Sequence, residues 1–163
     1  MKTQVAIVGG GPSGLLLGHL LKHAGINSVI VERQSRDYVL GRIRAGVLET
    51  VTTGLMHKLG IDQRMNAEGL IEEGFNLALN ERLIRIDIAA LTGGHVMVYG
   101  QTELTRDLMD AAPERGLEIV YEAQDITING IEGDTPHLIF TKDGVEHQID
   151  AMFIAGCDGF HGP

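Results

Sequence analysis

The chain has 163 residues, with 22 acidic side chains against 13 basic ones for a formal charge of −9, and 44% of its residues are hydrophobic. That length holds one domain with a real core, or part of a larger one, and the composition excludes disorder, a coiled coil and a basic nucleic-acid-binding face. No apolar run approaches the roughly 18 residues of a membrane helix, and one cysteine forms no internal disulfide, so the expected setting is soluble and cytoplasmic, with no nucleic-acid or membrane partner.

The N-terminal run Gln4-Val5-Ala6-Ile7-Val8 is β-branched and apolar, and reads as a buried parallel strand. Gly9, Gly10, Gly11 and Gly14 follow at once, then a helix-length segment, Leu15 to Ala24, with Gly25 as its stop. Ser28-Val29-Ile30-Val31 reads as a second strand ending on Glu32. Together they form a βαβ unit of about 30 residues, with Gly9-x-Gly11-x-x-Gly14 at the strand-to-helix turn. In that pattern Gly9 permits the tight turn, Gly11 lets backbone approach a pyrophosphate, and Gly14 lets helix pack on strand. The pyrophosphate faces the helix N-terminus, where unpaired N–H groups favour an anion, and Ser13 adds a hydroxyl donor. Glu32, 18 residues beyond Gly14, sits where an acid accepts from an adenosine ribose. Its charge repels a 2′-phosphate, which favours FAD or NAD over NADP at this position. The alternative is a glycine-rich packing turn with no ligand.

Arg33, Arg36, Arg42 and Arg44 place four cations within twelve positions of an acidic chain, as an anion site would or a solvated loop. Gly41-Arg42-Ile43-Arg44-Ala45-Gly46 has glycine at both ends, which suits close backbone approach to a ligand. From Val47 a helix is expected, apolar at 47, 48, 51, 55 and 59 and closed by Gly60. Phe75–Leu79 and Leu83–Ile88 flank Asn80-Glu81 as a hairpin, and Val96–Tyr99 reads as another strand. A helix begins at Gln101, with Thr102 as its N-cap and Pro113 at its frayed end. Glu118–Tyr121, Ile126–Ile128, His137–Thr141 and Glu146–Ile154 are expected strands, with Lys142-Asp143-Gly144 as a turn. The last strand runs into Gly156-Cys157-Asp158-Gly159-Phe160-His161-Gly162, where Asp158 either accepts from ligand hydroxyls or makes an Asp-Gly turn. His19 and His23 have the spacing of helical metal ligands, but without a third ligand they read as a solvated face, so no metal is assigned. Cys157 reads as a small strand-end residue rather than a nucleophile.

The blocks Gly9–Gly14, Glu32-Arg33-Gln34, Asp37–Glu49, Tyr99–Glu103 and Ile154–Gly162, in this order, resemble the N-terminal part of the class A flavoprotein aromatic hydroxylases. The resemblance implies an α/β fold: a Rossmann-like FAD-binding βαβ unit with inserted or appended antiparallel strands, incomplete at the C-terminus. It implies FAD and NADPH as cofactors, and O2 and an aromatic substrate, 4-hydroxybenzoate, hydroxylated to 3,4-dihydroxybenzoate through a flavin C4a-hydroperoxide. Ser13 and Glu32 match FAD phosphate and ribose contacts. Arg42, Ile43, Arg44, Ala45, Gly46 and Val47 match an FAD-contacting segment, and Gln101 a further FAD contact. Asp158 matches an acid serving FAD and NADPH, while Arg33, Gln34, Tyr38 and His161 match positions of NADPH recognition. No residue here is expected to act as catalytic acid or base. The family's chains continue for well over 200 residues more, so residues 1–163 are expected to be the FAD-binding portion of a longer enzyme, inactive alone and homodimeric when complete. Two rivals stay open: an FAD or NAD oxidoreductase with another substrate, and a non-catalytic dinucleotide-binding remnant.

Overall fold

The computed structural model describes residues 1–42, 45–133 and 135–160. The chain separates into two compact units, Met1–Arg42 with Thr105–Pro163, and Ile43–Leu104.

The first unit is built on a six-stranded sheet. Its opening segment is the βαβ expected from the glycine pattern: β1 (Lys2–Val8), α1 (Pro12–His23) and β2 (Ser28–Val31). A short helix, α2 (Arg36–Gly41), follows where only an arginine loop was expected; Ser35 starts it, its hydroxyl accepting from the Tyr38 N–H at 3.2 Å. After the second unit the chain returns through α6 (Gln101–Glu114) to β8 (Glu118–Val120), β9 (Gln124–Asn129), β10 (His137–Lys142) and β11 (Val145–Gly156). The strand order is β8-β2-β1-β11-β10-β9, with β8, β2, β1 and β11 parallel and β10 antiparallel to both of its neighbours. Val8 pairs with Val31 on one side and with Gly156 on the other, so three strand ends lie side by side. The mixed α/β class and the added antiparallel strands expected from the sequence are both present.

One sheet face is closed by Ala6, Val8, Val29, Val31, Ala123, Leu138, Phe140 and Ile149, all buried. On the other, α1 lies close enough that a Cβ on Gly18 would come within 2.9 Å of Ile30 and 3.0 Å of Leu117. His19, expected on a solvated face, is fully buried instead. Its Nε2–H donates to the Leu108 carbonyl at 2.7 Å, which fixes the neutral tautomer. Burial pushes its pKa below the ordinary 6.5; the Leu108 carbonyl opposes that shift and the Arg115 charge adds to it. Lys142-Asp143-Gly144 makes the expected turn, with Asp143 and Gly144 at positive φ of 52° and 75°.

The second unit holds a three-stranded antiparallel sheet, β3 (Val47–Glu49), β7 (Val96–Val98) and β4 (Leu70–Glu72), in the order β3-β7-β4. Residues 47–49, expected to begin a helix, are strand. The helix, α3 (Thr50–Leu59), starts only after Glu49 and is closed by Gly60 in the left-handed region. The apolar residues at 47 and 48 alternate across β3, Val47 exposed and Leu48 buried, rather than sharing a helix face. The sequence reading missed α4 (Gln63–Glu68), β4 and α5 (Ile88–Thr92). It did place the hairpin of β5 (Gly74–Leu79) and β6 (Arg82–Asp87), whose turn residues Asn80 and Glu81 have positive φ. Thr102 lies within the first turn of α6, not at its cap, and Pro113 is the penultimate residue of that helix.

Candidate functional site

The parallel strands of the first unit end together, and the chain makes its sharpest backbone approaches there. Gly9, buried, adopts a φ of +110°, and a Cβ at that position would run into the Cys157 carbonyl. Its N–H donates to the Val31 carbonyl at 2.8 Å, and the Cys157 N–H donates to the Val8 carbonyl at 2.7 Å. These bonds draw the ends of β1, β2 and β11 into one crevice. A Cβ on Gly14 would overlap the Gly9 carbonyl oxygen, so the start of α1 sits hard against the turn.

That helix start is bare. Gly11 occupies the N-cap with no side-chain bond, Pro12 has no N–H, and helix geometry leaves the Ser13 and Gly14 N–H groups without intrahelical acceptors. No heavy atom lies within 4 Å of the position a Cβ on Gly11 would take. Ser13 is exposed at the same place. This uncapped, positively polarised terminus fits a pyrophosphate.

Glu32 stands beside it at the end of β2. One carboxylate oxygen accepts from the Gly10 N–H and the other from the Gln34 N–H, both at 2.7 Å. Each oxygen keeps a second acceptor direction for a ribose hydroxyl. A cavity of about 390 Å³ opens here, its walls including Gly9, Glu32, Arg33 and Asp158. Four residues singled out from three separate stretches of the sequence thus line one cavity. Asp158 is brought in because β11 lies next to β1, at the point where the order of a doubly wound sheet reverses. Cys157, behind it, has its thiol pushed up by burial and by the neighbouring Asp158 charge, which keeps it protonated and unreactive.

Gln34 meets the site through its backbone N–H. Tyr38 lies half-exposed on α2, and Arg42, exposed, ends that helix. Arg36 forms an ion pair with Asp110 and is therefore not an open cation. Ala45, Gly46, Val47 and Gln101 belong to the second unit. There the Tyr99 N–H donates to the Gly46 carbonyl at 2.8 Å and the Gln101 N–H to the Ala45 carbonyl at 3.3 Å, so the two stretches are zipped together. The Arg64 guanidinium reinforces them, donating to the Glu103 carbonyl at 2.8 Å and lying 5.9 Å from the centre of the Tyr99 ring. Ile43, Arg44 and His161 lie outside the described residues.

The cavity also has walls that sequence reasoning missed: Gln124, Asp125 and Ile126. They are the first three residues of β9, where Asp125 has a positive φ of 51°, as Glu122 just ahead of the strand has one of 61°. No glycine or proline marks this turn, so its residue types gave no signal.

Comparison with known proteins finds relatives along nearly the whole chain. The chain is 50% identical over 163 residues to p-hydroxybenzoate hydroxylase of Acinetobacter baylyi, a match covering 99% of this chain and 40% of that protein. It is 27% identical to pentachlorophenol 4-monooxygenase of Sphingobium chlorophenolicum, over 96% of this chain and 30% of the relative. Among solved structures, p-nitrophenol 4-monooxygenase from Pseudomonas putida superposes with a TM-score of 0.80 at 21% identity, covering 97% of this chain and 41% of that one, and shares the fold. The chain therefore spans less than half the length of these relatives. The model of the FAD-binding domain family matches residues 2–163, nearly the whole sequence, and the chain belongs to that family.

Proposed function

We propose that the chain supplies the FAD-binding portion of an aromatic hydroxylase that uses NADPH and O2 to convert 4-hydroxybenzoate to 3,4-dihydroxybenzoate. The observation that carries the reading is the meeting of a bare helix start, the Glu32 carboxylate and Asp158 at the ends of three adjacent parallel strands. The choice of substrate is supported by the 50% identity to a p-hydroxybenzoate hydroxylase.

Bound FAD would pass electrons from NADPH to O2, one atom of which goes to the aromatic ring and the other to water. The residues of this chain bind and orient. The Ser13 and Gly14 N–H groups and the Ser13 hydroxyl hold the pyrophosphate, with Gly9 and Gly11 giving it room. Glu32 accepts from the adenosine ribose, and Asp158 accepts from hydroxyls on the flavin side. Arg42, Ile43, Arg44, Ala45, Gly46, Val47 and Gln101 are assigned to further contacts with the cofactor. Arg33, Gln34, Tyr38 and His161 are assigned to NADPH. In this division Glu32 turns a 2′-phosphate away from the FAD site, whereas the arginines beyond it attract one. The single free cysteine fits a reducing, cytoplasmic setting.

Because the chain spans 40% of the relative's length, the 163 residues are expected to bind FAD without hydroxylating 4-hydroxybenzoate. The check is product formation by the purified chain with FAD, NADPH and substrate. Turnover there would overturn the assignment of binding, rather than the whole reaction, to this part.

A further inference from the structure

We propose that Gln124 determines which base the crevice accepts, clamping the Glu32 loop with one end of its side-chain amide and reading an exocyclic amine with the other. The inference rests on the FAD reading above and names a residue to which neither the sequence pattern nor that reading gave a role.

The connection between β8 and β9 is laced to the loop after β2. The Glu32 N–H donates to the Val120 carbonyl at 2.8 Å, the Ala123 N–H to the Glu32 carbonyl at 3.0 Å, and the Glu122 N–H to the Gln34 carbonyl at 3.2 Å. Gln124, the first residue of β9, adds a side-chain bond: its Nε2–H donates to the Arg33 carbonyl at 2.8 Å. A carbonyl needs a donor, so this partner fixes the amide orientation, and Oε1 is left as the acceptor. Glu122 and Asp125 bracket this segment in the left-handed region. Non-glycine residues hold that conformation only where surrounding bonds impose it.

Gln124 lines the same cavity as Glu32 and Arg33, together with the apolar side chains of Val8, Val31 and Ile126. With pyrophosphate at the start of α1 and ribose at Glu32, the base falls beyond the ribose, against Arg33, Gln124 and Ile126. Adenine presents a 6-amino donor, which an amide oxygen accepts. Hypoxanthine presents an oxygen in its place, which an amide oxygen repels. The Gln124 oxygen, oriented by its own clamp beside these apolar side chains and sharing the cavity with the Asp125 carboxylate, thus favours an aminopurine over an oxopurine.

The test compares FAD with flavin hypoxanthine dinucleotide, which differs in that 6-position oxygen and the N1–H that accompanies it, in fluorescence titrations of the parent chain and of Gln124→Ala. The parent is expected to prefer FAD by about 10-fold, and Gln124→Ala to bind FAD about 3- to 10-fold more weakly with the preference reduced to about 2-fold or less. A residue that merely stiffened the loop would weaken both dinucleotides equally and leave the preference intact, which would overturn the inference. Unchanged FAD affinity in Gln124→Ala would overturn it as well. Gln124→Met, which keeps the side-chain length without the amide, gives the same comparison if the alanine variant fails to fold. Failure of the parent to bind FAD would instead remove the reading beneath the inference, and the inference with it.

Discussion

Glu32 and His19 are single residues whose surroundings dictate what they do. The Glu32 carboxylate is held by two backbone N–H groups before any ligand arrives, so its position is set in advance and a ribose meets an acceptor already aimed. In Glu32→Gln one of those N–H groups faces an amide NH2 instead of an oxygen. We predict that FAD binds about 10-fold more weakly to this variant, measured by flavin fluorescence, because hydrogen bonds to a charged acceptor contribute about 1.5–3 kcal/mol each. An unchanged affinity would contradict the role. His19 is buried and neutral, with its folded-state pKa below 6.5. The unfolded chain therefore binds more protons than the folded one as pH falls through 6.5 toward that lowered value. Stability is full above this window and declines within it. Urea midpoints measured from pH 7.5 to 5.5 should fall for the parent and fall less steeply for His19→Gln; equal slopes would contradict the assignment. Spacing alone revealed Glu32, because the acid follows its glycines at a distance fixed by one helix and one strand. It gave no hint of His19's burial, which depends on α6, a partner 89 positions away at the Leu108 contact.

Elements were legible where local chemistry and packing agree. The first βαβ, the 75–87 hairpin and the turn at 142–144 follow from glycine placement, alternation and residues that tolerate positive φ. The stretch at 47–49 was misread because two apolar residues followed by a helical run fit a helix as well as a strand, and only pairing with β7 decides between them. The helix α2 escaped because it is only about a turn and a half long, too short to show a helical period, and is started by Ser35. Two glycines separate cause from tolerance at this scale. Gly14→Ala places a methyl against the Gly9 carbonyl and should cost about 3 kcal/mol or more, read as a loss of urea midpoint or of soluble yield. Gly54 lies inside α3, exposed, with nothing within 4 Å of an added Cβ. Gly54→Ala should therefore stabilise the chain by about 0.5–1 kcal/mol. A destabilised Gly54→Ala, or a Gly14→Ala as stable as the parent, would contradict the packing described.

At the scale of the whole molecule, the order β8-β2-β1-β11 brings residues from opposite ends of the sequence into one crevice. Glycine spacing announced the half of the site on β1 and β2. The half on β11 was signalled by Gly156-Cys157-Asp158-Gly159, but only strand order makes Asp158 a neighbour of Gly9. The wall at the start of β9 was not legible, since no glycine or proline marks the positive φ of Glu122 and Asp125 and only the pairing of β9 with β10 sets it against the crevice. If the crevice holds the adenosine diphosphate half of FAD, the most direct measurement is equilibrium binding of FAD to the purified chain, challenged with ADP and with 2′-phospho-ADP. The expected result is one FAD per chain, displaced by ADP, while 2′-phospho-ADP, repelled by Glu32, competes at least about 10-fold less well. No bound FAD, or bound FAD that ADP cannot displace, would contradict the account.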